Sequence, residues 1–366
     1  MSTTSVIIAT GGTTGHIEPA LSVAAALRER DAGIDVTFLG SRRGLESRLV
    51  PESGFELVVV DAAPMPRGLG RDTVQRLLDI RRAARQAEEL LRERRPAAVV
   101  GFGGYASAPA YLAARRCRIP VIIHEANARP GLANRLGARG AARVMTSSTT
   151  PWAGAHYVPL PLRRSIARLD RAASRASARS ALGLSPEGSV LLVFGGSQGA
   201  RRINEALAGS LVHLLEAGVE VLHLHGGGNA AIAHVSPGYH PMPYLEQMEL
   251  AYAAADLALC RAGAMTCGEI AAVGLPAVFV PLPVGNGEQR LNALPIVDSG
   301  GGLLVDDADL TPAALIDVVL PLLNDNPGLL AMGHAAYAQG VRDGDRIVAE
   351  QVLDVIGMKS RERKGS

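Results

Sequence analysis

The sequence predicts an α/β protein built from two doubly wound parallel-sheet domains, and three observations carry that expectation. A short apolar run enters a glycine-rich turn twice, about half the chain apart. Val6-Ile7-Ile8-Ala9-Thr10 precedes Gly11-Gly12-Thr13-Thr14-Gly15-His16, and Val190-Leu191-Leu192-Val193-Phe194 precedes Gly195-Gly196-Ser197-Gln198-Gly199-Ala200. Apolar runs alternate with helical patterns through both halves, as a parallel sheet covered by helices on both faces requires. The 366 residues also exceed what one hydrophobic core usually serves. Glycines admit close approach of the backbone to a ligand, and the helix start after each turn offers N–H groups to an anion. Two such units imply a two-lobed enzyme with ligands in the cleft.

In the first half, strands are expected at residues 6–10, 35–39, 55–60, 97–100 and 120–124, with helices at 18–30 and 72–94. In the second half, strands are expected at 190–194, 219–224, 256–260, 277–280 and 302–305, with helices between them. Pro159-Leu160-Pro161-Leu162-Arg163 separates the halves. Proline stops both helix and sheet, which places the hinge near Pro161. The expected domains are 1–162 and 163–342, with a final helix at 343–357 packing back on the first. The Arg/Ser/Ala-rich stretch that ends at Ser185 reads as helix, and the tail from Lys359 reads as frayed.

Composition narrows the classes of function. With 48% apolar and 20% charged residues the chain is globular rather than disordered, and a net charge of +2 offers no general polyanion surface, so nucleic acid is not an expected partner. Cys117, Cys260 and Cys267 form neither a metal-type pair nor an even disulfide set, and so read as free thiols in a reducing compartment. Residues 1–5 lead straight into a strand, so no signal peptide is expected. The longest apolar stretch, 270–284, is broken by Gly274, Pro276, Pro281 and Pro283 and is too short to span a bilayer. A cytosolic protein is expected, with contact to a membrane from that side left open.

Neither glycine turn has the G-x-G-x-x-G spacing, and no acid ends the second strand (Leu39-Gly40-Ser41) to hold a ribose diol, which disfavours a nicotinamide enzyme. The run Cys260-Arg261-Ala262-Gly263-Ala264-Met265-Thr266-Cys267-Gly268-Glu269 is more specific. It follows a strand and opens a helix expected at 269–273, where small residues leave N–H groups open to a diphosphate. Glu269, placed in that helix's first turn, either accepts from a ribose diol or simply complements the helix dipole. One helix end contributes about 0.3–2 kcal/mol, too little to hold a diphosphate, so Ser197, Thr266 and Arg163 are expected to add contacts.

His16 sits where the first turn becomes a helix, at the strand edge where ligands bind in open α/β sheets. With an unperturbed pKa near 6.5 it is a candidate general base, and capping of its own turn is the alternative. Glu125, in His124-Glu125-Ala126-Asn127, is a second candidate acid/base, and Asn127 suits a sugar hydroxyl or amide. Glu288, Gln289 and Asn292 form a further polar cluster suited to hexose hydroxyls. Asp307/Asp309 and Asp343/Asp345 read as caps or turns and His223/His225 as core or edge histidines, so no metal is expected. Arg67, Arg71, Arg76, Arg81, Arg82 and Arg85 surround Met65, Leu69, Val74, Leu77 and Leu78 over residues 64–85. That stretch is either an ordinary amphipathic helix or a face for an anionic bilayer.

Taken in order, the turns at 11–16 and 195–200, Gly101-Phe102-Gly103-Gly104-Tyr105, His124 to Asn127, Arg261 to Thr266 and Gln289-Arg290-Leu291-Asn292-Ala293 closely resemble the MurG family of bacterial peptidoglycan N-acetylglucosaminyltransferases. The resemblance runs from the first strand to about residue 350. It implies a GT-B fold, two Rossmann-like domains facing across a cleft, and inverting transfer of N-acetylglucosamine from UDP-GlcNAc. The acceptor implied is the muramoyl 4-hydroxyl of undecaprenyl-diphosphoryl-MurNAc-pentapeptide (lipid I), giving lipid II for cell-wall synthesis without a cofactor. Donor contacts implied are Thr13, Thr14, Gly15, Asn127, Arg163, Ser197, Leu245, Ala264, Met265, Thr266, Cys267, Gly268, Glu269 and Gln289. His16 is implied as base, with Glu125 its rival. Gly12, Gly103, Gly104, Tyr105 and Ser107 are implied to receive the acceptor diphosphate. The basic helix gains weight as a membrane-contacting face, and a peripheral location on the cytoplasmic side of the plasma membrane follows.

Two departures stand out. Thr14 replaces the family's usual glycine and narrows backbone approach to phosphate, and Pro159-Leu160-Pro161-Leu162 replaces a frequent Gly-Asn-Pro-Val. A UDP-GlcNAc 2-epimerase-like isomerase and a non-catalytic sugar-nucleotide binder are the alternatives. The paired glycine turns argue for an acceptor with its own diphosphate, which an epimerase lacks. A titratable His16 facing the cleft is superfluous in a mere binder.

Overall fold

The structure is a computed structural model and describes residues 4–42, 44–62, 73–233, 236–284 and 286–364. It divides into two compact units: residues up to Arg163 together with those from Asp343 onward, and Arg164–Arg342.

The first unit holds a seven-stranded sheet: β1 (Thr4–Ala9), β2 (Ile34–Ser41), β3 (Glu56–Val60), β4 (Ala98–Gly101), β5 (Val121–Glu125), β6 (Arg143–Thr146) and β7 (His156–Tyr157). The order is β3-β2-β1-β4-β5-β6-β7, with every neighbouring pair parallel. Ile8 lies opposite both Phe38 and Val100, so β1 is the central strand at which the winding reverses. In open α/β sheets the carboxyl ends flanking such a reversal form a crevice. Alternate residues of β1 feed opposite faces. Val6 and Ile8 pack with Ile17, Phe38 and Val100, while Ile7 and Ala9 pack with Leu39, Val99 and Ile123. The helix Gly344–Lys364 completes the first of these layers, burying Val348, Ala349, Val352 and Val355.

The second unit holds β8 (Ser189–Phe194), β9 (Val219–Leu224), β10 (Tyr239–Met242), β11 (Leu257–Cys260), β12 (Ala277–Phe279) and β13 (Gly302–Leu304), all parallel in the order β10-β9-β8-β11-β12-β13. The Arg/Ser/Ala-rich segment is helical, at Arg164–Ala167 and Arg171–Leu182. Asp170 caps the longer helix by accepting from the Ala173 N–H, and Gly183 ends it. Buried Arg179 bolts that helix down by donating to the carbonyls of Ala254, Ser185, Pro186 and Gly188 and pairing with Asp256.

Three differences from the sequence reading matter. The first helix begins at Thr14, four residues earlier than expected, which puts Gly15 and His16 in its first turn. Thr14 therefore occupies an ordinary helical position. The helix expected at 269–273 runs from Ala264 to Val273, so Glu269 lies in its second turn and no acid occupies the first. The dipole-complementing role considered for Glu269 is thereby removed. Finally, β6, β7, β10 and the helix Glu46–Glu52 were not foreseen: β7 and β10 are edge strands of two and four residues, and β10 contains Pro241.

Candidate active site

In the first unit, the turns after β1 and β4 form one platform. Gly104 lies against Gly11 so closely that a Cβ on it would sit 2.0 Å from the Gly11 carbonyl oxygen. The Ser107 hydroxyl, fully buried, bridges the carbonyls of Ala9 (3.0 Å) and Gly103 (2.6 Å). Ser107 thus ties the second turn to the first strand through its side chain. Tyr105, 41% exposed, lays its ring alongside Gly12.

His16 stands on this platform, partly exposed. Thr10 Oγ1 donates to the His16 carbonyl (2.8 Å), and the His16 N–H donates to the Thr13 carbonyl (3.0 Å). Thr13 Oγ1 is 3.4 Å from Nδ1. A Cβ on Gly103 would be 3.2 Å from Nε2, so glycine there leaves that nitrogen uncovered by a side chain. Burial lowers the imidazole pKa below 6.5, against the opposing fields of Glu125 and Glu46. The ring is therefore neutral near pH 7 and able to accept a proton.

Glu125 is built differently. One carboxylate oxygen accepts from the Asn127 N–H (2.9 Å) and Nδ2 (3.2 Å), the other from the Gly131 N–H (2.9 Å) and Asn134 Nδ2 (3.0 Å). Asn134 is itself buried and accepts from the Tyr111 hydroxyl at 2.7 Å. Four donors converge on a carboxylate 3% exposed, and they fix the loop carrying Asn127. His124, the adjacent imidazole, is buried against Phe102 and hydrogen-bonded to Ser147 Oγ (2.8 Å).

In the second unit, the predicted donor residues gather at the carboxyl ends of β8, β11 and β12. The Ser197 turn packs on the loop after β9, where Asn229 Nδ2 donates to the Gln198 carbonyl (3.0 Å). The helix Ala264–Val273 has Gly263 as N-cap and no side-chain cap, so its first-turn N–H groups face outward from Ala264, Met265 and Thr266. Cys267 is buried with its thiol held protonated by burial, and Gly268 follows it. Glu269 is buried and accepts from the Tyr252 hydroxyl at 2.7 Å. Gln289 uses its carboxamide oxygen to hold the N–H groups of Leu282 (2.9 Å) and Ala262 (3.2 Å), and Asn292 donates to the Ala262 carbonyl (3.2 Å). Gln289 thus joins the loop after β12 to the loop after β11, and Asn292 ties its helix, Glu288–Asp298, to the latter. Leu245 is partly buried on the adjoining core, and Arg163 falls in the first unit, 3.6 Å from Glu18.

Other readings resolve locally. Asp307 pairs with buried Arg261 and Asp306 with Arg290; Asp309 lies in the turn before the helix Pro312–Asn324. Among the described residues no three His, Cys, Asp or Glu side chains converge as a metal site. His223 is buried between Tyr239 OH (2.9 Å) and Asn204 Oδ1 (3.1 Å). Of the basic stretch, residues 64–72 lie outside the described residues, and the helix Thr73–Arg94 covers the remainder.

The buried imidazoles carry a stability consequence. Burial depresses His124 to about 3 and His223 to about 4. Unfolded, both take up protons near 6.5, so below that pH the unfolded chain binds more protons than the folded one. Their contribution is intact above pH 6.5 and is lost as pH falls, down to about 4 for His223 and about 3 for His124, at about 1.4 kcal/mol per unit of difference for each group. Urea unfolding should give a lower midpoint at pH 5 than at pH 7.5, and His223→Gln should flatten that slope.

Two parallel-sheet units, each with a glycine turn and an open helix start at the carboxyl edge of its sheet, define a nucleotide-sugar glycosyltransferase scaffold of the GT-B type. The glycosyltransferase family 28 N-terminal domain matches residues 6–146, and the family 28 C-terminal domain matches residues 190–347. The UDP-N-acetylglucosamine--N-acetylmuramyl-(pentapeptide) pyrophosphoryl-undecaprenol N-acetylglucosamine transferase of Mycobacterium sp. (strain KMS) is 51% identical over 99% of both chains. Among solved structures, MurG of Acinetobacter baumannii is 29% identical with a TM-score of 0.74, covering 96% of this chain and 99% of that one. A UDP-N-acetylglucosamine 2-epimerase shares the fold alone, at 17% identity and a TM-score of 0.65, over 97% of each chain. The chain belongs to glycosyltransferase family 28 and, within it, to the MurG family.

Proposed function

We infer that this chain transfers N-acetylglucosamine from UDP-GlcNAc to the muramoyl 4-hydroxyl of undecaprenyl-diphosphoryl-MurNAc-pentapeptide, forming a β-1,4 linkage and releasing UDP. The observation that carries this is the end-to-end agreement with a transferase whose name states that donor and that acceptor. The site chemistry fits the reaction. The acceptor oxygen attacks the anomeric carbon, its proton passes to His16 Nε2, and the anomeric C–O bond breaks with its electron pair leaving on UDP. A neutral imidazole is the required form of that base, and burial supplies it. The open N-terminus of the helix Ala264–Val273 stabilises charge on the departing diphosphate. The glycine platform, with Tyr105 at its rim, receives the acceptor's diphosphate. Labelled UDP-GlcNAc incubated with a lipid I analogue should yield UDP and a disaccharide lipid in equal amounts; free 2-epimerised sugar nucleotide instead would support the isomerase.

Glu269 is assigned to the donor ribose, its carboxylate oriented by the Tyr252 hydroxyl. Hydrogen bonds to a charged group are worth about 1.5–3 kcal/mol, or roughly 10- to 150-fold in binding. Glu269→Ala should raise the donor KM by about that factor with a much smaller change in kcat, as steady-state kinetics would reveal.

No single helix among the described residues is long and apolar enough to cross a membrane. We assign the protein to the cytoplasmic face of the plasma membrane, held peripherally through its first unit. Leu78, Arg81, Arg82 and Arg85 are exposed at helical spacings of three and four, which puts an apolar group and three cations on one face of the helix Thr73–Arg94. Charge reversal at Arg81 and Arg85 should reduce co-sedimentation with anionic vesicles and leave neutral vesicles unaffected, at about 1 kcal/mol per basic residue.

A further inference from the structure

We propose that Glu46 is a positioning residue for this transfer reaction, its buried carboxylate locking the glycine turn that presents His16. The inference rests on the transferase reading above and names a further residue for it.

Glu46 lies at the start of the helix Glu46–Glu52 and is fully buried. One carboxylate oxygen accepts from the Gly12 N–H at 2.9 Å; the other accepts from the Ser41 N–H at 2.9 Å and the Ser41 hydroxyl at 2.6 Å. A single side chain thus joins the end of β2 to the turn after β1, whose Gly12 is 34 residues from Glu46 in sequence. The surroundings are shaped for it. A Cβ at Gly11 would come within 2.5 Å of its Oε1, one at Gly40 within 2.7 Å of its Cγ, and one at Gly44 would overlap its carboxylate. Three glycines therefore make room for one acid, and only one of them belongs to the turn that carries His16.

The hydrogen bond to Gly12 constrains the backbone one residue before Thr13, whose carbonyl accepts the His16 N–H. Loss of that constraint frees the turn to move relative to the Gly103–Gly104 turn beside it. The charge also acts directly: Glu46 and Glu125 are the carboxylates whose fields support protonation of His16, with the Glu18–Arg163 pair two residues further along the same helix. A buried acid of this kind acts through His16 and touches no reactant.

The test compares wild type, Glu46→Gln and the milder Ser41→Ala, each confirmed folded by its cooperative thermal transition. Glu46→Gln should lower kcat about 10- to 100-fold with donor KM nearly unchanged, since a turn displaced by an ångström costs on that order. Ser41→Ala should lower it by a smaller factor in the same direction. The His16 imidazole titration, followed by NMR without substrates, should move to lower pH in Glu46→Gln because a nearby negative charge is lost. Wild-type kcat together with an unmoved His16 titration in Glu46→Gln would overturn the inference. So would a fall in kcat with no movement of the titration, which marks a purely structural role. Failure of the wild type to transfer sugar would instead sink the transferase reading, whatever the titration shows.

Discussion

Replacing His16 by alanine should lower kcat by about 10²- to 10⁴-fold and leave the donor KM nearly intact. The split follows from where the residue stands. His16 is anchored through its backbone to Thr10 and Thr13, so the turn survives loss of the ring. Nothing in the second unit's gathering of Ser197, Thr266, Glu269 and Gln289 depends on it, so nucleotide binding should persist. The same logic sets the pH profile. Burial holds His16 below 6.5, so the acid limb of kcat/KM lies below that value, and kcat/KM rises with pH until the imidazole is fully neutral. In His16→Ala that limb disappears. Glu125 is the rival base, but each of its oxygens already accepts two hydrogen bonds from Asn127, Gly131 and Asn134. Those donors occupy the lone pairs a base needs. Glu125→Gln should therefore impair the enzyme by loosening the loop at Asn127, moving KM as well as kcat. If His16→Ala retained wild-type turnover, the assignment would pass to Glu125.

The winding of both sheets is legible because buried parallel strands leave apolar runs that helices interrupt, and β1, β8 and β11 each lead into a run containing glycine that marks a turn. What the sequence concealed is tertiary. At Gly11 one neighbour that needs the space is Glu46, invisible in the sequence because its partners lie at 12 and 41 and are joined only by folding. No acid ends β2, yet an acid five residues later reaches back to Ser41 and turns inward. The first turn of the helix Ala264–Val273 is hidden because Ala264 to Gly268 include small residues that read as loop, which leaves Glu269 looking like its first residue. Asn134 and Tyr252 carry no local motif; their value comes from holding Glu125 and Glu269. Arg163, at the hinge end of the first unit, stands 3.6 Å from Glu18.

The other large effect is expected at Gly104, where alanine should destabilise the first unit by about 2–6 kcal/mol. Two costs add. The residue has φ of +86°, a conformation that costs a non-glycine residue about 1–3 kcal/mol. Its new Cβ would also sit 2.0 Å from the Gly11 carbonyl oxygen and 2.8 Å from Gly11 N, against backbone that cannot swing aside as a side chain does. Overpacking of this kind adds about 1–3 kcal/mol more. Gly140→Ala supplies the control: its φ is +92°, but nothing lies within 4 Å of the added carbon. Urea unfolding of both variants separates the terms, because Gly140→Ala bears only the backbone strain and the excess at Gly104 measures the contact between turns. The kinetic consequence is tied to the same geometry. Pushing Gly104 away from Gly11 pulls Gly103 from His16 Nε2 and breaks the platform assigned to the acceptor, so surviving folded protein should lose kcat and acceptor affinity together. If Gly104→Ala proved no less stable than Gly140→Ala and equally active, the two turns would not form the single rigid element on which the placement of His16 depends.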